Sequence, residues 1–180
     1  MDFTLHTHPD PRMLRKIRRL YRISFPKCER KPFRVILEKQ AEGSVEIIFV
    51  RNEENKLLGF AITAIYKDLV LVDYLAVSPK FQSLGIGSGI LAGMKEYYRG
   101  KRIFLEIEDP EEPCDNRSDR IRRRAFYQKN GFSEAGFKVW LFGIKMPVLI
   151  ADGALNFEEY HELYDEVFSP AVGKNVTKAE

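Results

Sequence analysis

The chain has little cysteine: Cys28 and Cys114 are its only two. Two thiols so far apart have neither the spacing of a zinc site nor the density of a disulfide framework. They read as free thiols of a reducing compartment, and a cytoplasmic location is expected. Long hydrophobic runs are also missing. No apolar stretch approaches the roughly 20 residues of a membrane-spanning helix, so no membrane partner is expected. No basic segment leads into an apolar one near Met1, so no signal peptide is expected. Charge of one sign is not in large excess. The 29 basic and 26 acidic residues leave a net charge of +3, too mild to demand nucleic acid as a partner. The basic residues are nonetheless clustered. Arg12, Arg15, Lys16, Arg18, Arg19 and Arg22 lie early, and Arg117, Arg120, Arg122, Arg123 and Arg124 lie late. An acidic group, Glu106, Glu108, Asp109, Glu111 and Glu112, precedes the second. The two arginine groups need not share a face, so nucleic acid is not the expected partner.

What is present suits one α/β domain over residues 1–180, with 44% hydrophobic residues and enough length for a sizeable core. Residues 1–10 and 171–180 read as flexible ends. His6 and His8 form a His-x-His pair with no clear third ligand, and no metal is expected. Residues 11–24 read as a helix. Asp10 is its N-cap, Pro11 its first residue, and Met13, Ile17, Leu20 and Tyr21 its buried stripe. Phe33, Ile36 and Leu37 suggest a second helix ending near Gly43. Residues 45–50, 57–66 and 69–77 read as strands. A helix follows to about Tyr98, with Ile86, Ile90, Met94 and Tyr97 facing inward. Residues 103–108 alternate as a strand, 120–129 form a helix stopped by Asn130-Gly131, and 139–142 and 148–150 are further strands. The segment 157–168 is a last helix, whose apolar face is compatible with a homodimer.

The chemistry concentrates at Gln82-Ser-Leu-Gly85-Ile-Gly87-Ser-Gly89, just after the apolar strand and Ser78-Pro79. A strand, a glycine loop and a helix N-terminus together form an anion cradle, because backbone N–H groups point outward and the helix dipole favours negative charge. A Walker loop would need Gly-Lys-Ser/Thr, which is absent. The dinucleotide fingerprint Gly-x-Gly-x-x-Gly misplaces the third glycine. Gln/Arg-x-x-Gly-x-Gly/Ala fits, with Gln82, Gly85 and Gly87. About forty residues later comes Arg124-Ala-Phe-Tyr127-Gln-Lys-Asn-Gly131-Phe132.

With Leu75-Ala-Val77-Ser-Pro79, these two elements resemble the GNAT superfamily of N-acetyltransferases over about residues 12–150. The resemblance implies a mixed, splayed central sheet flanked by helices, and acetyl-CoA bound where strands 69–77 and 103–108 part. Backbone N–H groups of Gln82, Ser83, Leu84, Gly85, Ile86 and Gly87 would hold the pyrophosphate. The backbone of Leu75 and Val77 would pair with the pantetheine arm, and the Leu75 N–H would donate to the acetyl carbonyl. Tyr127 would protonate the leaving thiolate. The match departs at Leu71, where histone-type members carry a base carboxylate, and at Arg120, where many relatives carry Asn.

N-acetylation needs a neutral amine, hence a proton acceptor. Glu106 and Glu108, two apart on a strand, would lie on one face about 7 Å from each other. They can act as base or attract a cationic amine, or they can be ion-paired with nearby arginines. Asp73, polar in an apolar strand, is a further candidate base or a buried hydrogen-bonding carboxylate. The expected function is acetyl transfer from acetyl-CoA, by direct attack, to a primary amine on a cationic small molecule. Peptide or protein N-acetylation and non-catalytic acyl-CoA binding are the alternatives.

Overall fold

The computed structural model describes residues 4–179, apart from the side chain of Cys28. Residues 1–3 and 180 of the ends read as flexible, and the Cys28 thiol, lie outside the described residues. The chain runs α1 (Pro11–Ser24), a 3-10 turn, α2 (Phe33–Ala41), β1 (Val45–Arg51), β2 (Leu57–Tyr66) and β3 (Leu69–Val77). After a second 3-10 turn come α3 (Ile86–Tyr97), β4 (Arg102–Glu106), α4 (Arg117–Lys129), β5 (Ser133–Leu141) and β6 (Ile144–Ile150). The chain closes with α5 (Phe157–Leu163), a π turn, α6 (Pro170–Gly173) and β7 (Val176–Ala179). The strands form one mixed sheet in the order β1-β2-β3-β4-β6-β5-β7. The pair β3/β4 is parallel, while β1/β2, β4/β6, β5/β6 and β5/β7 are antiparallel.

The described residues fold as two compact units, residues 4–64 with 72–99 and residues 65–71 with 100–179. In the first unit, α1 begins where Asp10 Oδ1 accepts the Met13 N–H at 2.7 Å and Pro11 supplies a pre-set φ. Its buried residues are Met13, Ile17, Leu20 and Tyr21, the stripe read from the sequence. The helix stops because the residue before Pro26 must be extended, and Phe25 adopts φ −125° and ψ 137°. Residues 57–64 of β2 are all buried, so this strand is apolar on both faces. Tyr21 meets Tyr74 edge-on at 4.8 Å and Phe33 at 5.6 Å, tying α1 to β3 and α2. A Cβ on Gly59 would stand 2.9 Å from the Ala76 carbonyl and from Ile90 Cδ1, so α3 lies close against β2 here.

In the second unit, Phe104, Phe137, Tyr160 and Tyr164 form an aromatic layer, with ring centres 5.2–5.8 Å apart along the chain of contacts. Arg102 joins Asp68 (2.7 Å) to Glu159 (2.8 Å) and donates to the Ala154 carbonyl. α5 starts with a reciprocal cap: Asn156 accepts the Glu159 N–H while Glu159 accepts the Asn156 N–H.

Several elements differ from the sequence reading. Strand β4 ends at Glu106, so Glu108 is not on it. Tyr97 is 49% exposed, and Tyr98 is buried in its place. The Tyr98 hydroxyl explains this choice, since it reaches Glu46 (2.5 Å) and Thr63 (2.7 Å). The C-terminal end is not a loose tail: Val176–Ala179 pairs with β5 as β7, with Val176 and Ala179 buried and Thr177 and Lys178 exposed. The N-terminal arm is likewise fixed. His6 exchanges two 2.9 Å backbone hydrogen bonds with Phe49, and Leu5 fills the space that a Cβ on Gly93 would need. β5 and β6 are longer than the short apolar runs that signalled them, because their half-exposed ends carry polar residues.

Candidate functional site

β3 changes character along its length, and its residues from Val72 belong to the first unit. It is buried through Val72, then alternates: Tyr74 and Ala76 face the core, while Asp73, Leu75 and Val77 share the half-open face. Its ladder with β4 is short, Leu69, Val70 and Leu71 pairing with Arg102, Ile103 and Phe104. Leu75 and Val77, expected along the pantetheine arm, therefore lie beyond those pairs. Leu71 is fully buried.

The glycine loop follows. Ser83 takes φ +63° and Gly85 φ +77°, two left-handed residues that turn the chain sharply into α3. Gly85 is required by its backbone angle rather than by crowding, since nothing lies within 4 Å of a Cβ placed there. No side chain caps α3. Its first hydrogen bond runs from the Gly89 N–H to the Gly85 carbonyl at 2.9 Å. The N–H groups ahead of it are the orphan donors of a helix start, which suit a phosphate. Gln82, Ser83, Leu84 and Gly85 are exposed, Gly87 is half-buried, and Ile86 is the residue that anchors the turn in the core.

Asp73 is not a bare carboxylate. Lys31 Nζ reaches both of its oxygens, at 2.7 and 2.8 Å. The same segment is strapped down three more times. Tyr21 donates to the Lys31 carbonyl (3.0 Å), Tyr74 accepts the Lys31 N–H (3.0 Å) and Tyr74 donates to the Glu29 carbonyl (2.9 Å). Burial, helped by the Asp73 charge and opposed by the Tyr74 hydrogen bond, raises the Tyr21 phenol to about 12, and burial raises that of Tyr74 as well. Both tyrosines therefore stay protonated as donors. Forty-two residues separate Lys31 from Asp73, so nothing in the sequence signalled this pair.

In the second unit the two glutamates part company. Glu106 is the last residue of β4 and accepts the Tyr164 hydroxyl at 2.8 Å. Glu108 lies beyond the strand, where Arg120 (2.8 Å) and Arg123 (3.2 Å) take its two oxygens. The expected pair on one strand face does not form, because two guanidinium groups of α4 draw Glu108 toward that helix. The rest of the acidic group is paired too: Asp109 with Lys138 (2.7 Å), Glu112 with Lys145 (3.2 Å) and Glu111 with Arg117 (3.8 Å). Arg120 also donates to the Asp109 carbonyl (2.9 Å) and to Asn116 (2.9 Å), so it fastens this loop to α4.

Tyr127 lies near the end of α4, its ring against Phe126 (5.1 Å) and Phe132 (5.8 Å). The helix stops at Asn130 and Gly131, whose φ is +80°, and the Phe132 N–H returns to the Tyr127 carbonyl at 3.0 Å. The residue keeps some exposed surface. Burial raises its phenol to about 12, against a smaller opposing effect of the Arg123 charge. Among the described residues, no side chain or backbone group bonds the Tyr127 hydroxyl. Also among the described residues, no three His, Cys, Asp or Glu side chains could together hold a metal ion, and no helix is long and apolar enough to cross a membrane.

Residues 44–134 match the family model of the acetyltransferase (GNAT) domain. No curated protein matches the chain. Among solved structures, a GNAT-family protein from Bacteroides thetaiotaomicron is 21% identical, with 96% of this chain and 99% of that one covered at a TM-score of 0.71. The ribosomal-protein-S18-alanine N-acetyltransferase of Escherichia coli is 17% identical, with 87% and 97% covered and a TM-score of 0.64. The spermidine N-acetyltransferase of Vibrio cholerae, solved with CoA and spermine, is 14% identical, with 83% and 94% covered and a TM-score of 0.64.

Proposed function

This chain belongs to the GNAT family of acetyltransferases, and from that premise we propose that it moves an acetyl group from acetyl-CoA to a primary amine by direct attack. The observation that carries the reading is the left-handed turn at Gly85 into the uncapped start of α3, within the matched span. Amides of Gln82, Ser83, Leu84, Gly85, Ile86 and Gly87 hold the pyrophosphate, and the β3 backbone at Leu75 and Val77 takes the pantetheine arm. The Leu75 N–H supports the acetyl oxygen as the carbonyl becomes tetrahedral. Tyr127, protonated at neutral pH, hydrogen-bonds the departing sulfur. No step here needs a metal.

For the acceptor we propose a cationic small amine, with Glu106 the carboxylate that meets its ammonium and accepts its proton. Glu106 is the last residue of β4, and Glu108 suits the role less well because Arg120 and Arg123 bond its two oxygens and hold it ionised. The amine of a peptide or protein is the alternative acceptor. The experiment follows free thiol release from acetyl-CoA across polyamines, amino sugars, amino acids and short peptides, with Tyr127→Phe and Glu106→Gln alongside. Turnover on one amine class, lost in both variants, supports the reading. Acetyl-CoA binding without turnover on any amine would refute it in favour of a sensing module.

A further inference from the structure

The two arginine groups of this chain differ in how they are neutralised. On α4, Arg120 and Arg123 pair with Glu108, Arg122 with Asp119 and Arg124 with Glu134. That cluster is internal electrostatics. On α1, Arg12, Arg15, Arg18, Arg19 and Arg22 are all exposed. Among the described residues, none of these five has a carboxylate within 4.0 Å. Lys16 adds a sixth cation, held on the Asn55 carbonyl. Its N-cap acid, Asp10, is already bonded to the Met13 N–H. Between residues 11 and 24 there is no acidic residue at all.

Helical spacing sets four of the arginines in a row. Arg12, Arg15, Arg19 and Arg22 follow one another by three, four and three residues, so they form one stripe opposite the buried Met13, Ile17, Leu20 and Tyr21. At 1.5 Å per residue the stripe is about 15 Å long. Like charges three and four apart repel, so the fold carries this face at a cost that an external polyanion would relieve.

We propose that the outer face of α1 is a docking surface for the phosphate backbone of a nucleic-acid duplex. About 15 Å of duplex carries roughly nine phosphates on its two strands, more than enough acceptors for the cations of this face. Five of the six cations are arginine, whose planar fork binds phosphate oxygens two at a time. A membrane surface fits less well, because the apolar side of α1 is already buried in the protein core, with only Ile23 exposed at 65%. This inference concerns α1 alone and does not depend on acetyl transfer.

The test is fluorescence anisotropy with end-labelled duplex RNA and duplex DNA of about 20 base pairs, from 50 to 200 mM salt. Binding in the micromolar range at low salt is expected, with a log–log salt slope of about −4 for four to five phosphates. Each single substitution, such as Arg15→Gln or Arg19→Gln, should reduce the slope by about 1. The triple Arg15→Gln, Arg19→Gln, Arg22→Gln variant, shown folded by circular dichroism, should bind two to three orders of magnitude more weakly at about 0.1 M salt, from the same slope. Arg122→Gln on α4 should bind as the unaltered protein does. RNA and DNA arms distinguish the source of phosphate. Absence of duplex binding at 50 mM salt overturns the proposal. So does binding unchanged in the single variants, or binding confined to polyglutamate or to anionic vesicles.

Discussion

Replacing Tyr127 by Phe removes one oxygen and little else. The ring contacts with Phe126 and Phe132 survive, and no described group loses a hydrogen bond. Folding stability should therefore change by less than about 0.5 kcal/mol, because a partnerless hydroxyl contributes little. The effect on turnover follows from the phenol. Its pKa of about 12 lies well above that of a thiol, about 8.5. Full transfer of its proton to the sulfur is uphill by about 3.5 pKa units, or roughly 5 kcal/mol. The phenol thus acts as a hydrogen-bond donor to developing charge, a role worth about 1.5–3 kcal/mol. Tyr127→Phe should lower kcat by about 10 to 150-fold, the low end of general-acid effects. Steady-state thiol release at saturating acetyl-CoA and amine measures this. The pH profile adds a second readout. A phenol at about 12 keeps its proton to beyond pH 11, so the unaltered enzyme should show no basic limb near pH 10 that Tyr127→Phe removes. A kcat within twofold in the variant, or such a limb near pH 10, would refute the reasoning.

Other perturbations have equally definite outcomes. Gly85→Ala must hold φ +77° with a Cβ, so it should lose about 1–2 kcal/mol of stability and weaken CoA binding measured by calorimetry. Gly59→Ala drives a Cβ into the Ala76 carbonyl, a backbone atom that cannot easily yield. It should cost about 1–3 kcal/mol, read as a lower denaturation midpoint at unchanged m-value. Lys31→Met strands the Asp73 carboxylate, whose side chain is only 10% exposed, and should destabilise by about 3–5 kcal/mol; Lys31→Met paired with Asp73→Leu should recover most of this. Asp109 is one of the acid-sensitive groups. Burial alone would raise its carboxyl, but the Lys138 ammonium and the Glu111 N–H outweigh it and hold the group below its ordinary value. The folded state therefore gains stability above pH about 4, and loses it as pH falls through the lowered value. Melting temperature should drop less between pH 5 and 3 in Lys138→Met than in the unaltered protein.

The sequence by itself determined the elements whose signals are local. The cap at Asp10, the stripe Met13, Ile17, Leu20 and Tyr21, the apolar strands and the left-handed stop at Gly131 all depend on near neighbours. The glycine loop was legible for the same reason. Only glycine reaches φ +77° without penalty, so the turn had to declare itself. Tertiary structure alone decided what the charges do. Lys31 on Asp73, Tyr164 on Glu106 and two arginines on Glu108 join residues 12 to 58 positions apart, and no periodicity records such pairings. Strand β7 belongs with them, since a segment with only two apolar residues becomes a strand only where an existing edge offers its hydrogen bonds. The same limit separated the arginine clusters: alike in composition, one is quenched by its own fold and the other is left facing solvent. Local pattern fixes backbone conformation through short-range sterics and hydrogen bonds, whereas the fate of a charge depends on which distant chain folding brings beside it.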